Sequence, residues 1–199
     1  MRFVLVRLGR DREIDPAMLF TKTRRAVVAF LAASALAAPL QASHAAPDTT
    51  EVTVTHAADL ESPILLELNR VRRANRLRPL RLSPALARAA RAHVRALALS
   101  GEFRHEWPDG RPFARWITSF YPIAGARSWA AGENLIWNSA GLTPKAVAEA
   151  WLASPLHRRV LLRPYWRQLG VGAVRAAGAG GVYAGTDATI AAAEFGARS

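Results

Sequence analysis

Three times along this chain a serine or threonine followed by proline opens an apolar run at helical spacing: Ser62-Pro63, Ser83-Pro84 and Thr143-Pro144. The pairing is a helix start. The hydroxyl accepts from an amide that has no partner within the helix, and proline, which has no amide hydrogen, suits the first helical position. After the third start the chain changes character. LGVGAV, GGVYAG and ATIAAAEFG are apolar runs set apart by glycine, alanine and Thr186-Asp187, and Gly178, Gly180 and Gly181 suit a hairpin turn. Helices followed by three short strands predict an α+β fold, with helices covering an antiparallel sheet.

The spacing fills in the rest. The first helix begins near Ser62, with Ile64, Leu65, Leu68 and Val71 on one stripe and Arg70, Arg72, Arg73 and Arg76 mostly on other faces. The second carries Leu86, Ala89, Ala90, Val94 and Leu97 on its buried face and stops at Gly101. His93, beside that stripe, reads as a structural histidine. Residues 102–130 read as irregular, with a turn at Pro108-Asp109-Gly110, one helical turn at RPFARWI and their own aromatics as packing. Gly132–Asn138 fits a short strand. Val147, Ala150 and Trp151 mark the third helix, which Ser154-Pro155 ends because a residue before proline is pushed out of helical geometry. A short helix over HRRVLLRPYW follows.

The N-terminal region reads as a targeting segment. Lys22, Arg24 and Arg25 precede a 15-residue apolar run, Ala26 to Leu40. That is short of the ~20 residues of a spanning helix. Ser43 and Ala45 then supply a small-x-small cleavage pattern, so residues 18–45 are expected to be a secretory signal, cut after Ala45 or Ala46. The alternative is an uncleaved membrane anchor. Residues 1–17 carry Asp11, Glu13 and Asp15 ahead of the basic stretch, unlike a signal. They read as an extension upstream of a true start at Met18. Residues 46–60 read as a flexible lead-in and 61–199 as the folded domain.

Composition narrows the chemistry. With no cysteine, disulfides, thiol catalysis and thiolate metal sites are excluded. The net charge of +12 is carried almost wholly by arginine, since only Lys22 and Lys145 are lysines. An exported basic chain meets anionic envelope polymers and headgroups before it meets nucleic acid.

One constellation has chemistry in it. His105 lies in the polar turn FRHEWPDGR, Glu133 follows a glycine in AGENL, and His157 stands just past the third helix. Two imidazoles and a carboxylate can hold zinc and leave a coordination position open for water. The histidines lie 52 positions apart, unlike the tight pairs of zinc hydrolases. A polar network that ties down the long loop explains the same residues, with Asn134 fixing backbone. Ser154, near His157, precedes a proline and lacks a nucleophile elbow. Trp151 reads as core, and Arg158 and Arg159 as solvated surface able to meet an anion.

FRHEWPDGR, AGENL, AWLASPLHRRVLL, LGVGAV and the closing EFG, in this order, resemble the CAP superfamily (cysteine-rich secretory proteins, antigen 5, pathogenesis-related 1) in its compact bacterial form. The resemblance runs from about Ile64 to Phe195. It implies an α-β-α sandwich with a three-stranded antiparallel sheet between helical layers, and a cavity lined by two histidines and two acids. His105 matches the first histidine, Glu133 the acid of the GEN motif and His157 the second histidine. The second acid's position is Ser154, so the tetrad is incomplete, and Glu149 should point elsewhere. The resemblance implies a binding cleft of His105, Glu133, His157, Asn134 and Ser154, with a weak divalent cation, zinc or magnesium, on His105, Glu133 and His157.

The expectation is therefore an extracytoplasmic, periplasmic or secreted, binding module. Its partners would be a lipid, a glycan or an anionic envelope component, with no nucleic acid and no integral membrane span after cleavage. The alternative is a metal-assisted, peptidase-like hydrolase using the same site.

Overall fold

The computed structural model describes residues 4–8, 51–123 and 125–199. The signal segment, its cleavage site and Met18 lie outside the described residues. In chain order the elements are β1 (Val4–Leu8), β2 (Thr53–His56), α1 (Ala58–Ala74), β3 (Arg81–Leu82), α2 (Pro84–Ser100), α3 (Phe113–Phe120), β4 (Trp129–Asn138), α4 (Pro144–Ala153), α5 (Pro155–Leu161), β5 (Gln168–Ala179) and β6 (Thr186–Arg198). The sheet runs β1-β4-β6-β5-β2, with β3 beside β5. β4, β6 and β5 form a long antiparallel centre, and among the described residues only β3 pairs in parallel.

Alternation along these strands builds two cores. Leu169, Val171, Ala173, Ala191, Ala193 and Phe195 face one way and meet Ile64 and Leu68 of α1, Trp151 of α4 and Val160 and Leu161 of α5. Val174, Ala176, Ile190 and Ala192 face the other way, onto Ala90, Val94 and Leu97 of α2. Trp129 and Ala131 extend that second face to Phe113, Trp116 and Ile117 of α3. The result is the expected α-β-α sandwich.

Two helix starts fall where the sequence places them. Ser83 and Thr143 cap α2 and α4, accepting from the amides of Leu86 and Ala146, with proline next in each. Gly101 ends α2 at φ +69°, a left-handed geometry that glycine adopts without strain. The first helix differs. It starts at Ala58, and Pro63 lies inside it. The Ala57 amide bonds the Ala173 carbonyl at 2.9 Å, so the β2 ladder hands the chain directly to the helix. Pro63, which leaves the Asp59 carbonyl without an amide, lies in the exposed first turns of the helix.

Four further expectations need correction. Residues 53–60 are no flexible lead-in, because β2 pairs with β5 and Glu61 pins the start of α1 through Arg91 (Nε donating at 2.9 and 3.0 Å) and His56 (2.7 Å). GGVYAG is a 3-10 turn rather than a strand; buried Tyr183 donates from its hydroxyl to the Glu102 carbonyl at 2.8 Å. The third central strand is β4, and the sheet has six strands among the described residues. Arg72 is buried rather than exposed, donating to the carbonyls of Arg78, Leu161 and Arg163 at 3.0, 2.6 and 3.1 Å. Within the expected idle extension, Val4–Leu8 pair with β4, with Val4 opposite Glu133.

Candidate functional site

The site follows from strand register. Glu133 of β4 lies directly opposite Glu194 of β6. Alternation sends both side chains to the α2 face, with Ala131, Leu135 and Ala192 as same-face neighbours. On the far side of Glu194 the register partner is Gly170 of β5. A Cβ on Gly170 would lie 2.1 Å from the Leu86 and Ala87 backbone, and one on Gly172 would lie 2.3 Å from the Arg91 amide. Only glycine lets α2 lie this close to the sheet. That approach brings His93, in the middle of α2, down onto the two carboxyl groups.

The carboxylate of Glu133 is fully buried and accepts from two imidazoles. His93 donates from Nδ1 to Oε2 at 2.6 Å, and His105 donates from Nδ1 to Oε1 at 2.6 Å. Burial alone would raise this carboxyl; the His93 charge and the two hydrogen bonds outweigh it and hold the group down to about 2. Glu194 is its opposite. It too is fully buried, and no donor meets either of its oxygens among the described residues. Burial, the neighbouring Glu133 carboxylate and a hydrogen bond to it push its pKa well above the ordinary carboxyl range.

Aromatic rings seal the cluster. The Trp107 ring stacks on His93 at 5.7 Å, and Trp116 lies at 4.5 Å. The Trp116 indole donates to the His105 carbonyl at 2.9 Å, fixing the segment that carries His105. The expected packing of this long connection by its own aromatics is what holds the site closed.

His105 also forms part of the wall of a cavity of about 750 Å³, with Phe103, Arg104, Leu135, Trp137 and His157. His157 is the third residue of α5, after the Ser154 cap position and Pro155. Its Nδ1 contacts the Ser154 hydroxyl at 2.9 Å. This contact orients the ring. Burial and the His105 charge lower the His157 pKa, so the ring is neutral at pH 7 and suited to be a ligand. Asn134, on the opposite face of β4, donates to the His157 carbonyl at 3.1 Å. A second hollow, of about 540 Å³, lies against α5 and is lined by Arg158, Arg159 and Arg163.

The expected residues thus separate into two layers. His105 and His157 share the cavity, and Ser154 and Asn134 hold His157 in place. Both oxygens of Glu133 are engaged by imidazoles behind the wall. A cation in the cleft fits the two imidazoles as ligands, and Glu133 fits as the carboxylate that orients His105 from behind. Two site residues escape the sequence reading. His93 lies three and four positions after Ala90 and Ala89, squarely on the buried stripe, and Glu194 interrupts an otherwise apolar strand. A carboxyl group in such a run signals a buried polar partner.

An α-β-α sandwich around a buried imidazole–carboxylate cluster, separated by His105 from a histidine-lined cavity, defines the class of protein. A family profile described as "Cysteine-rich secretory protein family", CAP, matches residues 65–186, and the chain belongs to that family. The chain is 31% identical over 160 residues to the "Uncharacterized protein YkwD" of Bacillus subtilis (strain 168), covering 77% of this chain. It spans 60% of the length of that relative. Among solved structures, an outer surface protein from Borrelia burgdorferi superposes with a TM-score of 0.53 at 20% identity, covering 69% of this chain and 92% of that one. An extracellular protein containing an SCP domain from Bacillus anthracis str. Ames gives a TM-score of 0.52 at 23% identity, covering 68% and 39%.

Proposed function

We propose that this CAP-family protein is an extracytoplasmic binding module whose ligand enters the cavity between His105, Trp137 and His157. The observation that carries this reading is the lining itself. Phe103, Leu135 and Trp137 offer apolar and aromatic surface, the two imidazoles hydrogen bonds, and Arg104, paired with Glu102 at 2.7 Å, a positive charge beside the Glu106 carboxylate. A ligand with an apolar body and an anionic group, such as a lipid or an envelope glycolipid, matches that mixture. The hollow of Arg158, Arg159 and Arg163 adds an approach for anionic envelope surface. Among the described residues no helix is long and apolar enough to cross a membrane.

A weak divalent cation in the cleft would sit on His105 and His157, where it would bridge an anionic ligand to the protein. Hydrolysis gains no support from the geometry. Glu133, the natural base for a metal-bound water, has both oxygens engaged at 2.6 Å, and the Ser154–His157 contact is local to one helical turn.

The test is co-sedimentation of the protein with vesicles of anionic phospholipid and with vesicles of zwitterionic phospholipid. Anionic vesicles should bind more tightly. Trp137→Ala should weaken that binding about fivefold or more, the usual effect of truncating a central aromatic contact. Equal binding by the Trp137→Ala protein would remove the cavity from the account and leave the arginine surface.

A further inference from the structure

Behind the cleft lies a second place for a cation, made of different side chains. We propose that a divalent cation of the zinc class is held inside the sandwich by His93, Glu133 and Glu194. One ligand atom from each of these three residues falls within 4.8 Å of the others. All three side chains are fully buried.

Three observations converge on that point. The first is Glu194, whose two oxygens meet no donor among the described residues although the group is completely enclosed. A buried carboxyl group without a donor is costly, and either a proton or a metal ion resolves it. The second is the orientation of His93. Its Nδ1 points to the carboxylates, while Nε2 faces the Glu106 carbonyl at 3.3 Å. A metal-bound imidazole commonly has this arrangement, with one nitrogen on the metal and the other N–H donated to a backbone carbonyl. The third is charge. Two carboxylates and one neutral imidazole balance a dication, and the imidazole–carboxylate set with no thiolate is of the kind zinc accepts. On binding, the metal replaces the proton on His93 Nδ1 and the proton on Glu194, and both protons leave to solvent. Ligand distances of ~2.0–2.2 Å require the three groups to draw together slightly from their metal-free spacing.

The way in is short. His105, which bonds Glu133 directly, also forms part of the cavity wall, so movement of that one imidazole opens the inner group to the cleft. The inner site does not depend on whether the cleft holds a ligand or an ion.

The experiment loads the chelator-stripped full chain with Zn²⁺, removes free metal by gel filtration, and reads zinc by elemental analysis and Tm by calorimetry. Co²⁺ is used in parallel for its visible ligand-field bands. Wild type should retain one equivalent, with a raised Tm. Glu194→Gln, nearly isosteric, should lose both the equivalent and the Tm shift, and its Co²⁺ bands should vanish. His157→Ala should keep all three, because it touches only the cleft. Zinc that is lost with His157→Ala and retained with Glu194→Gln would place the ion in the cleft and overturn the proposal. A wild type that retains no zinc and shows no Tm shift would mean that protons alone balance the inner carboxyl groups, and would overturn it as well. If Glu194→Gln folds poorly, the bands of Co²⁺-loaded wild type decide. Spectra unchanged by His157→Ala support the inner site, and spectra abolished by it sink the inner site.

Discussion

At the scale of single residues, Glu133 and Glu194 are the same side chain in adjacent strands with pKa values moved in opposite directions. The difference lies in which one the histidines reach. It has a consequence for pH that runs in two directions. Glu133 is held down to about 2, below its unfolded value, so its contribution is present above ordinary carboxyl pH and is lost as pH falls toward 2. Glu194 is pushed up, so its contribution is present at acid pH and lost as pH rises through and beyond the ordinary carboxyl range. In metal-free protein, Glu194→Gln should therefore match wild type near pH 4 and be the more stable of the two at pH 7 and above. Glu133→Ala should be destabilised by about 3 kcal/mol at pH 7, the usual cost of removing one partner from a buried charged group. Urea titrations across pH check both; a Glu194→Gln curve parallel to wild type at every pH would show that the carboxyl proton carries no linkage.

These residues also show what the sequence makes legible. His105, Glu133 and His157 stand in loops or beside glycine and proline, where polar side chains look purposeful. His93 and Glu194 sit inside regular elements, where the helical stripe and the strand alternation give their direction but not their partners. Pairing Glu133 with Glu194 requires the β4–β6 register, and bringing His93 to them requires the α2–β5 contact. Neither long-range relation is written in local spacing. The same limit explains Arg72, whose three carbonyl acceptors lie partly 89 and 91 positions away.

At the scale of elements, the fit of α2 to the sheet decides the site. Periodicity and capping locate α2 from Pro84 to Ser100, and its alanines foretell a close approach. The matching glycines in β5 read equally well as turn or strand residues, so the sequence leaves the contact itself open. Gly172→Ala would place a methyl group 2.3 Å from the Arg91 amide and 2.4 Å from the Ala90 carbonyl carbon. Backbone cannot swing aside as a flexible side chain does, so α2 must lift. A loss of about 1–3 kcal/mol is expected, typical of overpacking, together with a weakened His93–Glu133 contact, read as a shifted His93 resonance. Gly110→Ala, where an added Cβ meets nothing within 4 Å but φ is +86°, is the control for backbone strain alone. Equal losses in the two variants would deny the close approach its special role.

At the scale of the whole molecule, the N-terminal 45 residues contribute one edge strand, β1, among the described residues. The central strands β4, β6 and β5, with β2, β3 and all five helices, lie from Thr53 onward. β1 adds to the outer edge of β4 through residues 129–133. A chain beginning at Ala46 should therefore fold with a cooperative transition close to that of the full chain, and exported protein should show that N-terminus, or Pro47, by mass spectrometry. Failure of the shortened chain to fold would make β1 an integral strand and set aside the reading of residues 1–45 as a leader. The α-β-α class, the helix order and the cleft histidines follow from patterning and the ordered motifs. The six-stranded sheet does not, because β1, β2 and β3 are short edge pieces that only tertiary pairing defines.

The position of β6 has one more consequence. It is the last of the sheet's strands along the chain, yet it stands between β4 and β5, which precede it. Until Thr186–Arg198 has emerged from the ribosome, β4 and β5 lack the strand that stands between them and pairs with both. A nascent chain built this way cannot lock piece by piece as it is made. The centre of the sheet is completed only when this late strand arrives. A premature stop codon anywhere before Thr186 would leave β4 and β5 without their shared partner and the centre of the sheet unmade.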